Sequence, residues 1–183
     1  MKPRKFTTEA IILSRKNYSE ADRILTVYSK HYGKLGLLAK GVRKVKSRKR
    51  GHLEIFSHIK FSAVRGKDMD FLSEAELLNP LHNIRNDLKK VTVAYFFMEA
   101  IRKLTQNEEK NEELFTLLLG YLGTLSSSEK FLKELRMRFV TELLVLLGYW
   151  PSGKIMDNPD NILRDITERE MWTTRVGKRI LQV

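Results

Sequence analysis

The chain has 183 residues, 42% hydrophobic and 31% charged, with 34 Lys/Arg against 22 Asp/Glu and a formal net charge of +12. This is the composition of a basic globular protein, long enough for one well-packed domain or two small ones. It contains no cysteine and only four scattered histidines, His31, His52, His58 and His82, which excludes disulfides, thiolate nucleophiles and cysteine zinc sites and leaves no HxxxH or HExxH metal spacing.

The N-terminal stretch MKPRKFTTEAIIL is basic but carries only about five apolar residues before Ser14, too few for a signal segment. No later run approaches the ~20 residues of a membrane span. A soluble, cytoplasmic protein with no membrane partner and no cofactor is expected. Residues 1–80 hold 18 Lys/Arg against 8 Asp/Glu, whereas residues 81–183 hold 16 against 14, so the first part carries the field.

From Phe6 to about Asn79 the apolar residues alternate over short runs, the period of strands. Thr8–Leu13 and Arg23–Ser29 are the first two. His31-Tyr32-Gly33-Lys34 reads as a turn before Leu35, Leu37 and Ala39. Leu53–Val64 alternates again, with Ile55, Ile59, Phe61 and Ala63 on one face and Phe56, His58, Lys60 and Ser62 on the other. Arg65-Gly66-Lys67-Asp68 reads as a hairpin turn in which Gly66 supplies a positive φ. Met69–Leu77 follows, with Met69, Phe71, Ala75 and Leu77 inward. Five strands in about 75 residues predict a small closed barrel, either an OB-fold or an SH3-like barrel, which periodicity alone does not separate.

Between the third and fourth strands lies Lys40–Arg50, KGVRKVKSRKR, with seven Lys/Arg, no acid, and Gly41 and Ser47 as hinges. So dense a charge calls for an anionic partner, and phosphate backbone is the commonest. Contact with nucleic acid is expected from Lys40, Arg43, Lys44, Lys46, Arg48, Lys49 and Arg50, with Arg43, Lys44, Arg48 and Arg50 foremost. Lys34 flanks the same surface, and Arg65 and Lys67 on the hairpin either extend it or form a plain turn, two readings the sequence favours equally. The bland alternative is a solvated basic loop.

Asn79-Pro80 pairs a good N-cap with a residue suited to the first helical position, so a helical region begins there. Leu81, Ile84, Leu88, Val91, Tyr95, Met98, Ile101 and Leu104 form the first stripe. Leu114, Phe115, Leu118, Tyr121, Leu122 and Leu125 form the second. Ser126–Glu129 offers a cap for a third helix striped by Phe131, Leu132, Leu135, Phe139, Leu143 and Leu146. Asn158-Pro159 and Thr167…Glu170 mark two weaker C-terminal helices. The expected fold class is α+β and multi-domain: a five-stranded β-barrel over residues 1–79, then an all-α helical domain over 80–183.

The first 80 residues also resemble a known family. Thr8-Glu9-Ala10-Ile11-Ile12-Leu13, then Tyr18-Ser19-Glu20-Ala21-Asp22-Arg23-Ile24-Leu25-Thr26, Gly33-Lys34, Ala39-Lys40-Gly41-Val42-Arg43-Lys44, Ser47-Arg48 and Leu53-Glu54-Ile55-Phe56 fall in the order and spacing of the bacterial RecO family of DNA-repair mediators. The helical half is similar in layout, and Leu147-Gly148-Tyr149-Trp150-Pro151 matches the end of its third helix. The resemblance implies an OB-fold followed by helices and no enzymatic activity. It also implies binding of single- and double-stranded DNA, annealing of complementary strands, and work with RecR to load recombinase (RecA) onto DNA coated by single-strand-binding protein. Many members continue into a cysteine-rich zinc module; here Ser152–Asp157 lacks cysteine, so that module is absent from this stretch. A basic RNA-binding module, such as a ribosome or RNA-processing factor, fits charge and barrel equally, and the family motifs argue against it.

Other constellations carry less. Tyr28, Tyr32, Phe56 and Phe61 lie in the barrel; Phe61 reads as core, while Phe56 shares its side with His58 and Lys60 and is the candidate for base stacking. Asp68, Asp70, Glu74 and Glu76 have no third ligand or base at usable spacing for a nuclease centre. Ser14, Ser19, Ser29 and the serines at 126–128 lack a nucleophile context. Gly33 and Gly36 do not make a phosphate-binding loop. The resemblance implies a groove for the acidic, hydrophobic tail of single-strand-binding protein, with Arg136 and Arg138 near Phe139 as its expected neighbours.

Overall fold

The alternating segments form five strands: β1 (Lys5–Tyr18), β2 (Asp22–Ser29), β3 (Gly33–Ala39), β4 (His58–Val64) and β5 (Asp70–Asn79). The structure, a computed structural model, describes residues 3–47 and 50–167. The strands close in the order β1-β2-β3-β5-β4, with β4 returning to β1. Every pairing is antiparallel except β3 with β5. This is a five-stranded barrel of the OB type. Because strand side chains alternate, one set fills the interior: Ala10, Ile12, Leu25, Val27, Leu35, Leu37, Ala39, Ile59, Phe61 and Ala63 are all buried there. Full burial of a side chain of this size contributes roughly 1.5–3 kcal/mol.

β1 is longer than the expected Thr8–Leu13 because it serves two partners. Lys5–Ile11 pairs with β4, and Ala10–Tyr18 pairs with β2, with a register shift between Ile12 and Ser14. The bulge bends the strand from one pairing into the other. It also turns backbone groups toward residues 56–57: Phe56 N donates to Ile12 O at 2.9 Å, and Ile12 N donates to Ser57 O at 3.1 Å. The expected strand Leu53–Val64 is therefore strand only from His58. Arg50–His52 is a 3-10 turn, and Ile55 and Phe56 sit in a second turn. Phe56 adopts φ 74° and is buried, which removes it as a stacking platform.

A second register shift, between Ser62 and Ala63 on β4, pairs Ser62 with Glu74 and Ala63 with Leu72 and leaves Ser73 extra. One extra residue exchanges the two faces of a strand. Ala75 and Leu77 therefore pack against the core as expected, but before the bulge Asp70 and Leu72 are the buried residues and Phe71 is exposed. Phe71 and Met69 do not line the interior as the alternation predicts. Gly66 is needed for a different reason from the one expected. Its φ is not positive, but a Cβ there would lie 2.0 Å from the Met69 carbonyl oxygen.

The helices are α1 (His82–Arg85), α2 (Leu88–Leu104), α3 (Glu112–Ser127), α4 (Leu132–Leu146) and α5 (Pro159–Thr167). The expected helix through residues 81–104 is two helices, because Asp87 caps a new start. Its carboxylate accepts from Lys89 N at 2.7 Å and Lys90 N at 3.2 Å, which satisfies donors a helix leaves open at its first turn. The restart rephases the stripe. Met98 and Ile101 are buried as expected, Leu88 and Tyr95 are exposed, and Val93, Phe96, Phe97 and Ala100 join the interior. The stripe read for α3 holds: Leu114, Phe115, Leu118, Leu122 and Leu125 are buried. Ser126 and Ser127 end α3 rather than capping α4, and Ser127 Oγ donates back to Thr124 O at 3.0 Å. α4 opens instead at Phe131, which is left-handed, 75% exposed, and makes no side-chain cap. Asn158 caps α5 as its sequence predicts, with Asn161 N donating to its side-chain oxygen at 3.1 Å. The second expected C-terminal helix, Thr167…Glu170, runs into residues 168–183, outside the described residues.

The chain forms two compact units, one of Met1–Leu81 with Thr105–Phe115 and the other of His82–Leu104 with Thr116–Val183. In the second unit an aromatic cluster fills the centre. The Phe97 and Phe139 rings are 4.1 Å apart, and Tyr121 meets Phe139 edge-on at 5.3 Å. Burial and the Glu142 carboxylate push the Tyr121 phenol pKa upward, so the group stays a neutral donor. Among the described residues no helix is long and apolar enough to cross a membrane.

Candidate nucleic-acid interface

The link from β3 to β4 leaves the barrel at Ala39 and carries the basic run. Its first residues are fixed. Gly41, at φ 65°, donates its N–H to Asp22 Oδ1 at 2.7 Å, and Arg43 N donates to Ala21 O at 2.9 Å. Between them Val42 is fully buried in the barrel core. Two further bonds, Lys44 N to Gly41 O at 3.2 Å and Ser47 N to Lys44 O at 3.0 Å, wind the segment into consecutive turns. Gly41 is thus a fixed corner and not a hinge. Apolar anchorage of one valine leaves the intervening side chains outward: Lys40, Arg43, Lys44 and Lys46 are exposed, and Val45 between them is 90% exposed.

Arg43 Nη1 donates to Ser19 O at 3.3 Å, which holds its guanidinium over the β1–β2 turn. Among the described residues no carboxylate pairs with Lys40, Arg43, Lys44 or Lys46. Their charge faces solvent without internal compensation, the arrangement that releases counterions when phosphates bind. Arg48 and Lys49 lie outside the described residues. Arg50 begins the 3-10 turn at Arg50–His52, and only its backbone is described.

Lys40 joins this loop to the start of β5, just past the β4–β5 turn. Its ammonium sits 4.7 Å from the centroid of the Phe71 ring, an attractive cation–π arrangement. Arg65 and Lys67, both exposed, occupy that turn. They line a cleft of about 260 Å³ together with Lys34, Gly36, Asp68 and Glu108. The structure thus brings Arg65, Lys67 and Lys34 to one cleft, and Lys40 to its neighbour strand.

Lys34 is differently employed from the loop cations. Its ammonium donates to the Thr105 carbonyl, its own carbonyl accepts from Glu108 N at 3.0 Å, and it forms a parallel bridge with Asn107. Residues 105–112 lie along β3 before β5 begins, occupying the strand edge that β5 leaves open. Gly33, at φ 63°, permits this approach, since a Cβ there would lie 2.0 Å from Glu109 O. Tyr28 donates its hydroxyl to Asn111 O at 3.4 Å, and His31 Nδ1 lies 3.1 Å from Glu112 Oε1. Burial and the Glu109 charge push the Tyr28 phenol pKa upward. Hydrogen bonds from Lys110 and then His31 hold the Glu112 carboxyl below its ordinary range.

The other candidates resolve as follows. Phe61 is core, as expected, and Tyr28 is buried, while Tyr32 packs edge-on against Phe6 at 4.7 Å. His58 is a half-buried strand residue that donates from Nε2 to Glu9 Oε2 at 2.9 Å. Phe139 is fully buried, and Arg136 stacks 4.1 Å over Phe96 while donating to Asp160 at 2.7 Å. Only Arg138 of the expected tail-binding group faces outward. Among the described residues no cluster of His, Asp or Glu is placed to hold a metal ion. The residues that sequence reasoning missed are Val42, the loop's anchor, and Phe71. An apolar residue inside a basic run was the available signal for the first.

Comparison with known proteins assigns the two halves consistently. The profile described as Recombination protein O N terminal matches residues 1–81, and that described as Recombination protein O C terminal matches residues 85–154. Over 152 residues the chain is 33% identical to a DNA repair protein RecO of Roseiflexus sp. (strain RS-1), covering 83% of this chain and 53% of that one. The RecO of Pelotomaculum thermopropionicum is 34% identical over 80% of this chain and 56% of its own. That of Desulforamulus reducens is 36% identical over 80% and 57%. The chain thus spans a little over half the length of these curated relatives.

Proposed function

The chain belongs to the recombination protein O family, and from that membership we propose that it is a non-enzymatic DNA-binding mediator of recombinational repair. In this reading it binds single- and double-stranded DNA, anneals complementary strands, and helps load the recombinase RecA on DNA coated by single-strand-binding protein, with RecR as partner. Residues 1–79 serve as the DNA-binding domain. Residues 80–183 serve as the helical domain that meets protein partners, including the tail of single-strand-binding protein, in the cytoplasm at the nucleoid.

The observation that carries this reading is the anchored loop after β3, which presents Lys40, Arg43, Lys44 and Lys46 outward with no described carboxylate paired to them. Cations fixed at one end of a barrel neutralise two phosphate backbones at once, so that complementary strands approach and pair. Arg48, Lys49 and Arg50 continue the same run, and Arg65 and Lys67 extend it across the β4–β5 turn. Lys34 supports the surface through its bond to Thr105.

The test is annealing of complementary strands coated with the cognate single-strand-binding protein, across a salt series. Annealing that needs no nucleotide, weakens with salt and is lost when Lys44, Lys46, Arg48, Lys49 and Arg50 are neutralised together supports the reading. Undiminished annealing by that variant removes the loop from the mechanism. Preference for RNA over DNA at fixed salt moves the protein to the RNA-binding class.

A further inference from the structure

We propose that Phe71 is a stacking platform for a base of single-stranded DNA, set between the basic loop and the β4–β5 turn. The inference rests on the DNA-binding reading and gives it a base-contacting residue.

Phe71 is on the outer surface because of one structural event. The extra residue at Ser73 exchanges the faces of β5, so the ring that simple alternation would place in the core is 38% exposed. Its surroundings are those of a strand-binding site. Phe71 pairs in register with Leu38 of β3, and Lys40, two residues further along the same outward side, holds its ammonium 4.7 Å from the ring centroid. Against the ring's other edge lies Gly66, where a Cβ would come within 2.9 Å of Phe71 Cε2. The missing side chain gives the ring its seat. Arg65 and Lys67 flank that glycine and are exposed.

A nucleotide is the ligand that matches this set. A base is flat and stacks on an aromatic face whatever its identity, while the phosphates on either side meet Lys40, Arg65 and Lys67. One ring beside one half-buried leucine is too small an apolar area for a protein interface, which needs on the order of 1,000 Å². Double-stranded DNA keeps its bases stacked on each other and offers no free face. The platform therefore favours single strands, whereas the loop cations act on either form.

The experiment uses the full chain with Phe71→Leu and Phe71→Trp, and measures anisotropy of labelled single strands across a salt series. A matched strand carrying abasic sites throughout keeps the phosphates and removes the bases. F71L is expected to bind the normal strand about tenfold more weakly with an unchanged salt slope, and F71W to bind as the parent does. On the abasic strand, parent and F71L bind equally. Equal binding of the normal strand by parent and F71L overturns the proposal, as does an equal loss on the abasic strand, which marks a surface aromatic with a structural role only. A parent protein that binds no single strand overturns the DNA-binding reading itself.

Discussion

Two segments held against the same barrel, the link that leaves β3 and the link from α2 to α3, carry opposite charge and are fixed in opposite ways. The basic segment from Lys40 to Ser47 is fixed through a buried side chain, Val42, and through backbone donors of Gly41 and Arg43. Its cations take no part in the anchorage, apart from the contact of Arg43 with Ser19. The acidic segment from Thr105 to Glu112 is fixed by its backbone against β3 and by ions and rings that the barrel supplies: Lys34, His31 and Tyr28. An internal contact that uses a charge withdraws it from any partner. The first segment keeps its cations free for a partner, whereas the second commits Glu112 to His31 and its backbone carbonyls to Lys34 and Tyr28, consistent with the proposed DNA surface at the first.

Four changes sharpen or break that contrast. Val42→Asp places an unpaired charge in the core and is expected to destabilise by more than about 4 kcal/mol, seen as loss of the folded baseline in a thermal melt, while Val42→Ala costs about 2 kcal/mol. Gly33→Ala forces a left-handed alanine against the Glu109 backbone and is expected to cost about 3 kcal/mol, again by melting; an unchanged melt would mean the acidic segment lies elsewhere. Neutralising Arg43, Lys44 and Lys46 together is expected to leave the melt unchanged and to lower the slope of log binding against log salt by roughly 2–3.

The smallest effect is a pH dependence. The Glu112 carboxyl titrates below its unfolded value of 4.5 because Lys110 and His31 bond its charged form. A depressed carboxyl contributes stability above the unfolded value, and that contribution disappears as pH falls through the folded one. Glu112→Gln should therefore flatten the acid limb of a melting-temperature profile below about pH 4.5 and change little near neutrality. An unaltered acid limb would show that the pair does not form.

Alternation in Thr8–Leu13, Arg23–Ser29, Leu35–Ala39, Leu53–Val64 and Met69–Leu77 was enough to read five strands, and the family motifs separated the OB arrangement from an SH3-like one. The departures have local causes that alternation does not encode. Phe56 is inside where outside was expected, because it sits in a turn before β4 with its N–H bonded to Ile12 O, and Phe71 is outside where inside was expected, because a bulge in the β4–β5 pairing reassigns faces over a few residues. The restart at Asp87 depends on one carboxylate finding two backbone N–H groups, which a continuous apolar stripe hides. The cations of the site were legible as a run of residues. Which of them would be free was not, because Lys34 is engaged by a carbonyl 71 residues away in sequence.

The parallel contact of β3 with β5 comprises only Leu37 with Asp70 and Leu38 with Phe71. The antiparallel pairings on either side, β2 with β3 and β4 with β5, run nearly the length of their strands. This makes it the place where the cylinder breathes: amides along it should exchange with solvent through local opening at free energies below the global value, while those of β1 and β2 exchange only on full unfolding. A DNA strand bound as proposed, across Lys40 and the β4–β5 turn, would straddle this junction and is expected to protect it. Amide protection there is thus a native gauge of occupancy that needs no label on the DNA.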